Sequence, residues 1–278
     1  MTWRAPIYSL SHALRAAGSS AISTSVAAET GYPVTNLLDD RGAALFKFST
    51  DAAAHYIQVD RGDSLTAADA IDRAWIPAGH NLEGSSIRVR SSSVVDFASD
   101  VTTLLAEDAI VASSGEGVDR ALTESHQRYV RLDWPTSSGK WELGELVLTY
   151  RNTLERGPES GWEDNTLASV LVNELRSGAS ARVVTGANRR QLIFQYRGVS
   201  ATADLATLDA IAEDAGKVPI LVDPPFGASP PDDASTLAQQ AVWCFADTVV
   251  SRRQEPLLPA ATDTPRTEYT LALIENVS

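Results

Sequence analysis

The chain has 278 residues, of which 44% are hydrophobic and 21% are charged, a composition typical of globular proteins rather than of disordered or membrane proteins. This length predicts about two domains. Lys and Arg together number 23 and Asp and Glu number 36, which gives a formal net charge of -13. Such a charge argues against an extended phosphate-binding surface, so we do not expect nucleic acid as a partner.

Cysteine content and the N-terminal segment narrow the chemistry further. Cys244 is the single cysteine, so one chain can form neither an internal disulfide nor a cysteine-rich zinc site. Residues 1–28 lack the continuous apolar stretch of a secretory signal, and no run reaches transmembrane length. We therefore expect synthesis in the cytoplasm, no signal peptide and no membrane insertion.

Residues from about 43 to 150 form short β-type runs separated by turn-forming residues, a spacing typical of an antiparallel sandwich. Alternation is clearest where Ile87 and Val89 are interleaved with charged residues, which predicts one buried and one solvated face. The predicted strands are Leu45–Ser49, Tyr56–Asp60, Ala70–Ile76, Ser85–Ser92, Val101–Leu105, Arg128–Trp134 and Leu143–Tyr150.

A change of composition at residues 153–165 indicates a domain junction, because Gly157-Pro158 and Gly161 stand there among mixed charges. We therefore predict a sandwich over residues 1–152, a linker over 153–165 and a second domain over 166–278.

The second domain is predicted to be of the α+β class. Ala181–Thr185 and Gln191–Tyr196 flank a turn and predict one hairpin. Thr202 is a candidate cap for a helix with an apolar stripe that ends near Gly216. Further strands are predicted at Val218–Val222, Ala241–Ser251 and Tyr269–Ile274. The predicted fold class is therefore mainly β, an N-terminal antiparallel sandwich followed by one helix on antiparallel strands.

The first predicted domain resembles the galactose-binding-like or discoidin jelly roll. The resemblance is carried, in matching order, by Tyr32-Pro-Val-Thr-Asn36-Leu-Leu38-Asp39-Asp40, Tyr56–Asp60, Arg88-Val-Arg90, Arg128-Tyr-Val-Arg131-Leu and Gly144-Glu145-Leu-Val-Leu148. Phe46 or Phe48 stands where that family usually has tryptophan.

A second resemblance is to proteins of tailed bacteriophages. Ala78-Gly79-His80-Asn81-Leu82, followed by the strand Ile87-Arg-Val-Arg90, is similar to jelly rolls of tail and baseplate proteins. The run Arg189–Ser200, a helix, Pro219–Asp223, a strand with Trp243 and Glu268–Leu273 together resemble tail-tube-like and distal-tail domains. This resemblance implies a virion component of the tail, made in the host cytoplasm, which assembles as a homo-oligomer with other tail or baseplate proteins.

Four residues are candidates for ligand binding. His80 and Asn81 place polar groups on a predicted loop, as a lectin-type site requires beside an apolar platform, although the same residues suit a tight turn. Asp39 and Asp40 lie where discoidin-like domains run a loop that holds calcium through oxygen ligands, although Asp39 also suits bonding within its own loop. The four histidines lack the spacing of a metal motif, so no cofactor other than calcium is considered.

Five residues are candidates for contacts between subunits. Arg189-Arg190 and Arg252-Arg253 are basic pairs at predicted strand ends; they are either solvated or paired with acidic surfaces of neighbouring subunits. Trp162, in the polar junction, is a candidate interface anchor.

No nucleophile elbow, phosphate-binding loop or dinucleotide fingerprint appears, so we do not expect an enzyme. The leading interpretation is a structural protein of a phage tail tip or baseplate that displays a carbohydrate-binding-like sandwich. The alternative is a discoidin-like module that binds host surface glycans. A hydrolase of cell-wall or capsule polymers is a third interpretation, which no motif supports.

Overall fold

The structure is a computed structural model of the chain. Its contacts divide the chain into two compact units. We call the one formed by Ser9–Arg151 the sandwich unit, and the one formed by residues 1–8, 152–230 and 242–277 the sheet unit. The structure describes residues 6–10, 12–39, 44–51, 54–63, 65–66, 69–112, 114–135, 139–155, 158, 163–167, 170–174, 180–184, 189–199, 201–213, 219–223, 242–246, 251–254 and 267–275.

Strands dominate both units. The elements up to residue 151 are β1 (Ile7–Ser9), α1 (Ala13–Ala17), 3₁₀ turns at Ser19–Ala21 and Val34–Leu37, β2 (Ile22–Thr24), β3 (Phe46–Lys47), β4 (His55–Asp60), β5 (Ile71–Ile76), β6 (Ser86–Ser92), β7 (Val101–Ala109), β8 (Val118–Ser125), β9 (Tyr129–Trp134), β10 (Glu142–Leu143) and β11 (Val147–Thr149). The later elements are β12 (Asn152–Thr153), β13 (Glu163–Leu167), β14 (Val170–Glu174), β15 (Ser180–Val184), β16 (Arg189–Val199), α2 (Thr202–Glu213), β17 (Pro219–Asp223), β18 (Val242–Ala246), β19 (Ser251–Gln254) and β20 (Thr267–Glu275).

The sandwich unit consists of a five-stranded sheet in the order β2-β4-β9-β6-β7 and a three-stranded sheet in the order β11-β5-β8. All of these pairings are antiparallel. Alternate side chains face the core, since Ile57, Leu132 and Val89 stand opposite one another in register and are fully buried. The predicted antiparallel sandwich is therefore confirmed, although α1, β2 and β8 were not predicted.

A buried ion pair joins two strands of the three-stranded sheet. Arg73 on β5 donates from Nε and Nη2 to the two carboxylate oxygens of Asp119 on β8, at 2.9 and 2.5 Å. The side chains are 2% and 10% exposed. Each charge is stabilised mainly by the other, because neither side chain has enough access to water to be solvated.

The sheet unit contains a large sheet in the order β12-β1-β17-β18-β20-β16-β13, with β19 also paired to β20. Helix α2 buries Leu208 and Ile211, and Asp209 on the helix accepts a 2.7 Å hydrogen bond from Tyr269 on β20. The sheet unit therefore combines α2 with antiparallel strands, among them β16, β18, β19 and β20. The predicted mainly β fold class is confirmed.

Two strand assignments in the sheet unit differ from the sequence prediction. The predicted hairpin is wrong, because β15 pairs with β14 while β16 pairs with β13 and β20. The single run predicted over Ala241–Ser251 contains β18 and the first residue of β19, which both pair with β20. β15 thus pairs with the strand that precedes it, whereas β16 pairs with strands farther away in the sequence.

The two units also divide the chain differently from the predicted boundaries. β1, within the predicted first domain, pairs with β12 in the large sheet. β12 and β13 overlap the two ends of the predicted linker but are strands of that same sheet. Along the chain, the sandwich unit therefore lies between β1 and β12, which are paired strands of the sheet unit. Among the described residues, no helix has the length and apolarity needed to cross a membrane.

Candidate functional site

Strands β3 and β10 form a short ladder at the surface of the sandwich unit. Phe46 and Leu143 are paired and fully buried, so their neighbours Lys47 and Glu142, also paired, lie on the outer side. The Lys47 ammonium lies 3.2 Å from a Glu142 carboxylate oxygen, and both side chains are about one quarter exposed. This hydrogen bond raises the pKa of the Lys47 ammonium.

The exposed ring of Tyr32 lies beside this ladder. Tyr32 follows Gly31, which has a φ of +90° that side chains rarely adopt. The loop is held by hydrogen bonds from the Tyr32 N–H to the Glu29 carbonyl at 2.9 Å and from the Glu29 N–H to the Lys47 carbonyl at 2.8 Å. The Lys47 ammonium lies 5.5 Å from the centre of the Tyr32 ring. Tyr32 is 37% exposed and is the one exposed aromatic residue in the described ranges.

Asn81 joins this surface through its side-chain amide. It donates to the Lys140 carbonyl at 3.0 Å and accepts from the Glu142 N–H at 2.7 Å. The Lys140 ammonium in turn lies 3.6 Å from a carboxylate oxygen of Glu29. These contacts connect one cluster, which we call the Tyr32 surface: Glu29, Tyr32, Lys47, Asn81, Lys140 and Glu142.

The predicted ligand residue His80 is turned into the sandwich unit. Its ring is 1% exposed, and its Nδ1 accepts a 3.2 Å hydrogen bond from the Leu82 N–H. Burial lowers the pKa of His80, which favours the neutral ring. The tight-turn interpretation therefore describes this position, while Asn81 alone reaches the Tyr32 surface.

His55 contacts the segment that precedes Lys140, and this role was not predicted from the sequence. Its ring stacks on Phe48 with centroids 4.2 Å apart, and Nε2 donates to the Gly139 carbonyl at 2.9 Å. Burial lowers the pKa of His55, so the ring stays neutral and keeps Nδ1 as the acceptor from the Ser25 hydroxyl at 3.3 Å. His55 thus fixes the backbone that precedes Lys140.

The predicted calcium ligands are only partly described. Asp39 is exposed and contributes to a raised pKa of the neighbouring Glu145, whereas Asp40 lies outside the described residues. Where the structure describes the chain, no three His, Cys, Asp or Glu side chains lie close enough to share a metal ion. Calcium binding stays a prediction.

The predicted interface residues lie in the sheet unit, except that Trp162 falls outside the described residues. Arg189 and Arg190 open β16, near the Glu275 end of β20, and the Arg190 N–H donates to the Glu275 carboxylate at 2.9 Å. Arg252 and Arg253 on β19 pair with Tyr269 and Glu268, towards the other end of β20. The two basic pairs are therefore separated along β20 by roughly 20 Å, at about 3.4 Å per residue. Their role in assembly stays a prediction.

The Tyr32 surface combines an apolar platform with donors and acceptors of hydrogen bonds. Its two ammonium groups and two carboxylates balance in charge, and all four are partly exposed. An aromatic face with convergent polar groups is the arrangement that small hydroxylated ligands require.

No protein-family model matches the chain, and no curated protein does. Solved structures similar to it include chitosan-binding module 1 of a chitosanase/glucanase from Paenibacillus sp. IK-5, at 17% identity and a TM-score of 0.38, over 49% of this chain and 98% of that one. CBM62 of Clostridium thermocellum Xyl5A is similar at 16% identity and a TM-score of 0.37, over 50% and 94%. The CBM32-1 and CBM32-2 domains of Clostridium perfringens ZmpB in complex with GalNAc are similar at 15% identity and a TM-score of 0.41, over 51% and 35%. These neighbours are carbohydrate-binding modules, and none of the three is described as a tail or baseplate protein, so the tail interpretation stays a prediction.

Proposed function

We propose that the sandwich unit is a glycan-binding module and that its site is the Tyr32 surface. The observation that carries the proposal is the exposed Tyr32 ring, which lies beside two partly exposed ion pairs. This is the alternative interpretation of the sequence, now attached to particular side chains. Asn81 is the predicted ligand residue that belongs to it.

The chemistry of the surface suits a sugar residue. The C–H face of a pyranose packs on an aromatic ring, while its hydroxyl groups donate to carboxylates and accept from ammonium groups. Lys47 and Glu142 each keep hydrogen-bonding capacity beyond their mutual contact of 3.2 Å. Exposed ion pairs of this kind contribute about 0–1 kcal/mol, so a ligand rearranges them at little cost.

The balance of charge favours a neutral glycan. Lys47 and Lys140 are matched by Glu142 and Glu29, which leaves no net charge to select an acidic or a basic sugar. Affinity should therefore change little between low and physiological ionic strength, because a neutral ligand forms no charge–charge contact that salt could screen.

The proposal is tested by a glycan array, followed by calorimetry with the best neutral hit. We expect Tyr32→Ala to weaken binding at least about tenfold, the equivalent of about 1.4 kcal/mol, because the platform is lost. The matched control is Val95→Ala, which removes another exposed apolar side chain, 55% exposed, from the loop between β6 and β7. Equal affinity of Tyr32→Ala and the control, or an array without neutral hits whether calcium is present or chelated, would contradict the proposal.

The tail-component interpretation is a separate prediction that rests on the sequence resemblance. Light scattering of the purified protein over a range of concentrations, with and without virion proteins, tests it directly. A ring-sized oligomer or co-assembly supports it, and a monomer that ignores virion proteins argues against it.

A further inference from the structure

A cavity of about 110 Å³ lies beside α1 in the sandwich unit. Its apolar wall consists of alanines of α1 with Leu65 and Ala70, and its polar wall consists of Arg61, Asp69 and His12. Arg61 follows the last residue of β4, whereas His55 under the Tyr32 surface opens the same strand. The cavity is therefore a separate place from the proposed glycan site.

Arg61 uses only some of its hydrogen-bond donors within the fold. Its Nη1 donates to the carbonyls of Ser125 and Gln127 at 3.4 and 3.1 Å, and its Nη2 donates to the carbonyl of Asp69. A guanidinium has five N–H donors, so Nε and one N–H of Nη2 remain for a ligand.

The charge of Arg61 also differs from that of most arginines in the sandwich unit, although Arg131, which donates to Gln58, is a second arginine without a close carboxylate among the described residues. Six arginines have a carboxylate oxygen within 3.5 Å: Arg73, Arg88, Arg90, Arg120, Arg128 and Arg151. Within the part of the chain that the structure describes, Arg61 forms no such ion pair, and Asp69 acts on it only at longer range. A half-buried positive charge without a close carboxylate is only partly solvated, and an anionic ligand would offset that loss of solvation.

Two further polar groups border the cavity. Asp69 accepts hydrogen bonds at Oδ2 from the Thr66 N–H and hydroxyl, at 2.7 and 2.8 Å, and these bonds lower the pKa of Asp69. Its other oxygen, Oδ1, is a charged acceptor close to the cavity. The His12 ring is directed elsewhere, since Nε2 contacts Glu145 at 3.0 Å and Nδ1 accepts from the Arg15 N–H at 3.4 Å.

The volume limits the size of the ligand. An apolar cavity of about 150 Å³ accepts benzene, which has six heavy atoms. By the same ratio a volume of about 110 Å³ holds four or five heavy atoms, so a ligand of six would extend to the open side of the cavity. The alanine side chains of α1 offer an apolar contact for one methyl or methylene group.

We propose that this cavity binds an α-hydroxycarboxylate of about the size of lactate. The carboxylate would accept from the free edge of the Arg61 guanidinium, the geometry for which arginine is best suited. The hydroxyl would donate to Asp69, and the methyl would contact the alanines of α1. Without that hydroxyl the carboxylate would face the charge of Asp69 unrelieved, so the site should discriminate against a plain carboxylic acid. The proposal does not rest on glycan binding at the Tyr32 surface.

The test is a titration of the full chain, labelled at alanine methyl groups, with lactate, propionate, glycerol and glucuronate, followed by NMR. We expect lactate at millimolar concentrations to shift the methyls of Ala16 and Ala70, propionate to bind at least about tenfold more weakly, and glycerol to produce no shift. If glucuronate binds with an affinity within a few-fold of that of lactate, the ligand is the acidic end of a glycan. If lactate binds and glucuronate does not, the ligand is a free hydroxy acid. Both outcomes support the site. No shift with either lactate or glucuronate, or equal binding of lactate and propionate, overturns it.

Variants separate binding from folding. Arg61→Gln removes the charge but also disturbs bonds to three carbonyls, so Ala16→Leu is the decisive variant. Ala16 is exposed and lines the cavity, and the larger side chain fills the cavity while it leaves every Arg61 contact in place. We expect at least tenfold weaker lactate binding with an unchanged unfolding midpoint. Ala98→Leu, at an exposed alanine of the β6–β7 loop, is the matched control, and equal lactate affinity of the two variants overturns the proposal.

Asp69→Asn tests the role given to the hydroxyl. It removes the negative charge and keeps the size of the side chain, so propionate should gain affinity and the preference for lactate should fall severalfold. A preference that is unchanged in this variant overturns the assignment of the hydroxyl to Asp69.

Discussion

Glu145 provides a quantitative test of how burial controls a charge in this protein. Its side chain is 1% exposed, and Oε1 accepts a 3.0 Å hydrogen bond from His12 Nε2. Burial raises the pKa of Glu145 from 4.5 to about 8, against the opposing effect of Arg15 and with a small contribution from Asp39. The protonated carboxyl group is therefore the favoured form in the folded chain near neutral pH.

The consequence for stability follows from the difference in bound protons. Between pH 4.5 and 8 the folded chain holds a proton that the unfolded chain releases, so the free energy of unfolding falls as the pH rises, by up to about 1.4 kcal/mol per unit. From pH 5.5 to 7.5 this amounts to roughly 2 to 3 kcal/mol. Burial lowers the pKa of His12 to about 3, which acts in the opposite direction because the unfolded chain binds that proton below pH 6.5.

Glu145→Gln isolates the carboxyl contribution, since the amide oxygen still accepts from His12 but does not titrate. We expect the stability of the variant relative to the parent to rise by roughly 2 to 3 kcal/mol between pH 5.5 and 7.5, while the His12 contribution is common to both. Urea unfolding at the two pH values, followed by tryptophan fluorescence, measures it, because Trp75, Trp134 and Trp141 are buried in the sandwich unit. The control is Glu124→Gln, whose side chain is 51% exposed. Parallel pH profiles of parent and Glu145→Gln would refute the argument from burial.

Two further changes test the core of the sandwich unit by the same unfolding assay. Asp119→Asn leaves the Arg73 guanidinium buried without its carboxylate and should lower the free energy of unfolding by about 3–5 kcal/mol. The control is Asp63→Asn, at a carboxylate that is 78% exposed, which should lower it by less than about 1 kcal/mol. Similar losses in the two variants would show that water reaches the buried pair. Leu132→Ala, at a fully buried position of β9, should cost about 2–5 kcal/mol because it leaves a cavity, and a loss below about 1 kcal/mol would contradict the packing described here.

The central strands of the sandwich unit were predictable because each has one wet face. In β6, Ile87 and Val89 face the core, while Arg90 donates to Asp133 of β9 at 2.8 Å on the outer side. That division appears in the sequence as alternation of period two. The same pattern predicted β9, and the observed bounds of β4 and β9 differ from the predicted ones by one residue.

β8 was not predicted from the sequence because its charged residues Asp119 and Arg120 are buried. Asp119 is neutralised by Arg73, 46 positions earlier in the chain, and Arg120 contacts Asp108 at 2.6 Å. Local sequence reasoning counts such residues as solvent-facing, since their partners become neighbours only in the folded chain. The pairing of β14 with β15 was missed for a different reason. Turn-forming residues stand on both sides of β15, so the sequence does not decide which neighbouring strand it pairs with.

Only part of the candidate site could be read from the sequence. The turn at His80-Asn81 was predicted, but burial of the His80 ring depends on how its loop packs. Tyr32 stood in the segment that carried the family resemblance, yet its exposure is a property of the folded surface. The cavity beside Arg61 left no pattern at all, because small residues from separate segments create it.

The pairing of β1 with β12 determines when the sheet unit can form during synthesis. Ile7 and Tyr8 leave the ribosome about 145 residues before their partners Thr153 and Asn152, and before β17, the other neighbour of β1. At about 5–20 residues per second, the delay before β12 appears is roughly 7 to 30 seconds. Ile7 and Tyr8, which are 3% and 0% exposed in the finished protein, have no strand partner throughout that time. Residues 9–151 of the sandwich unit are all made before β12, so the sandwich unit can fold while the sheet unit is still incomplete.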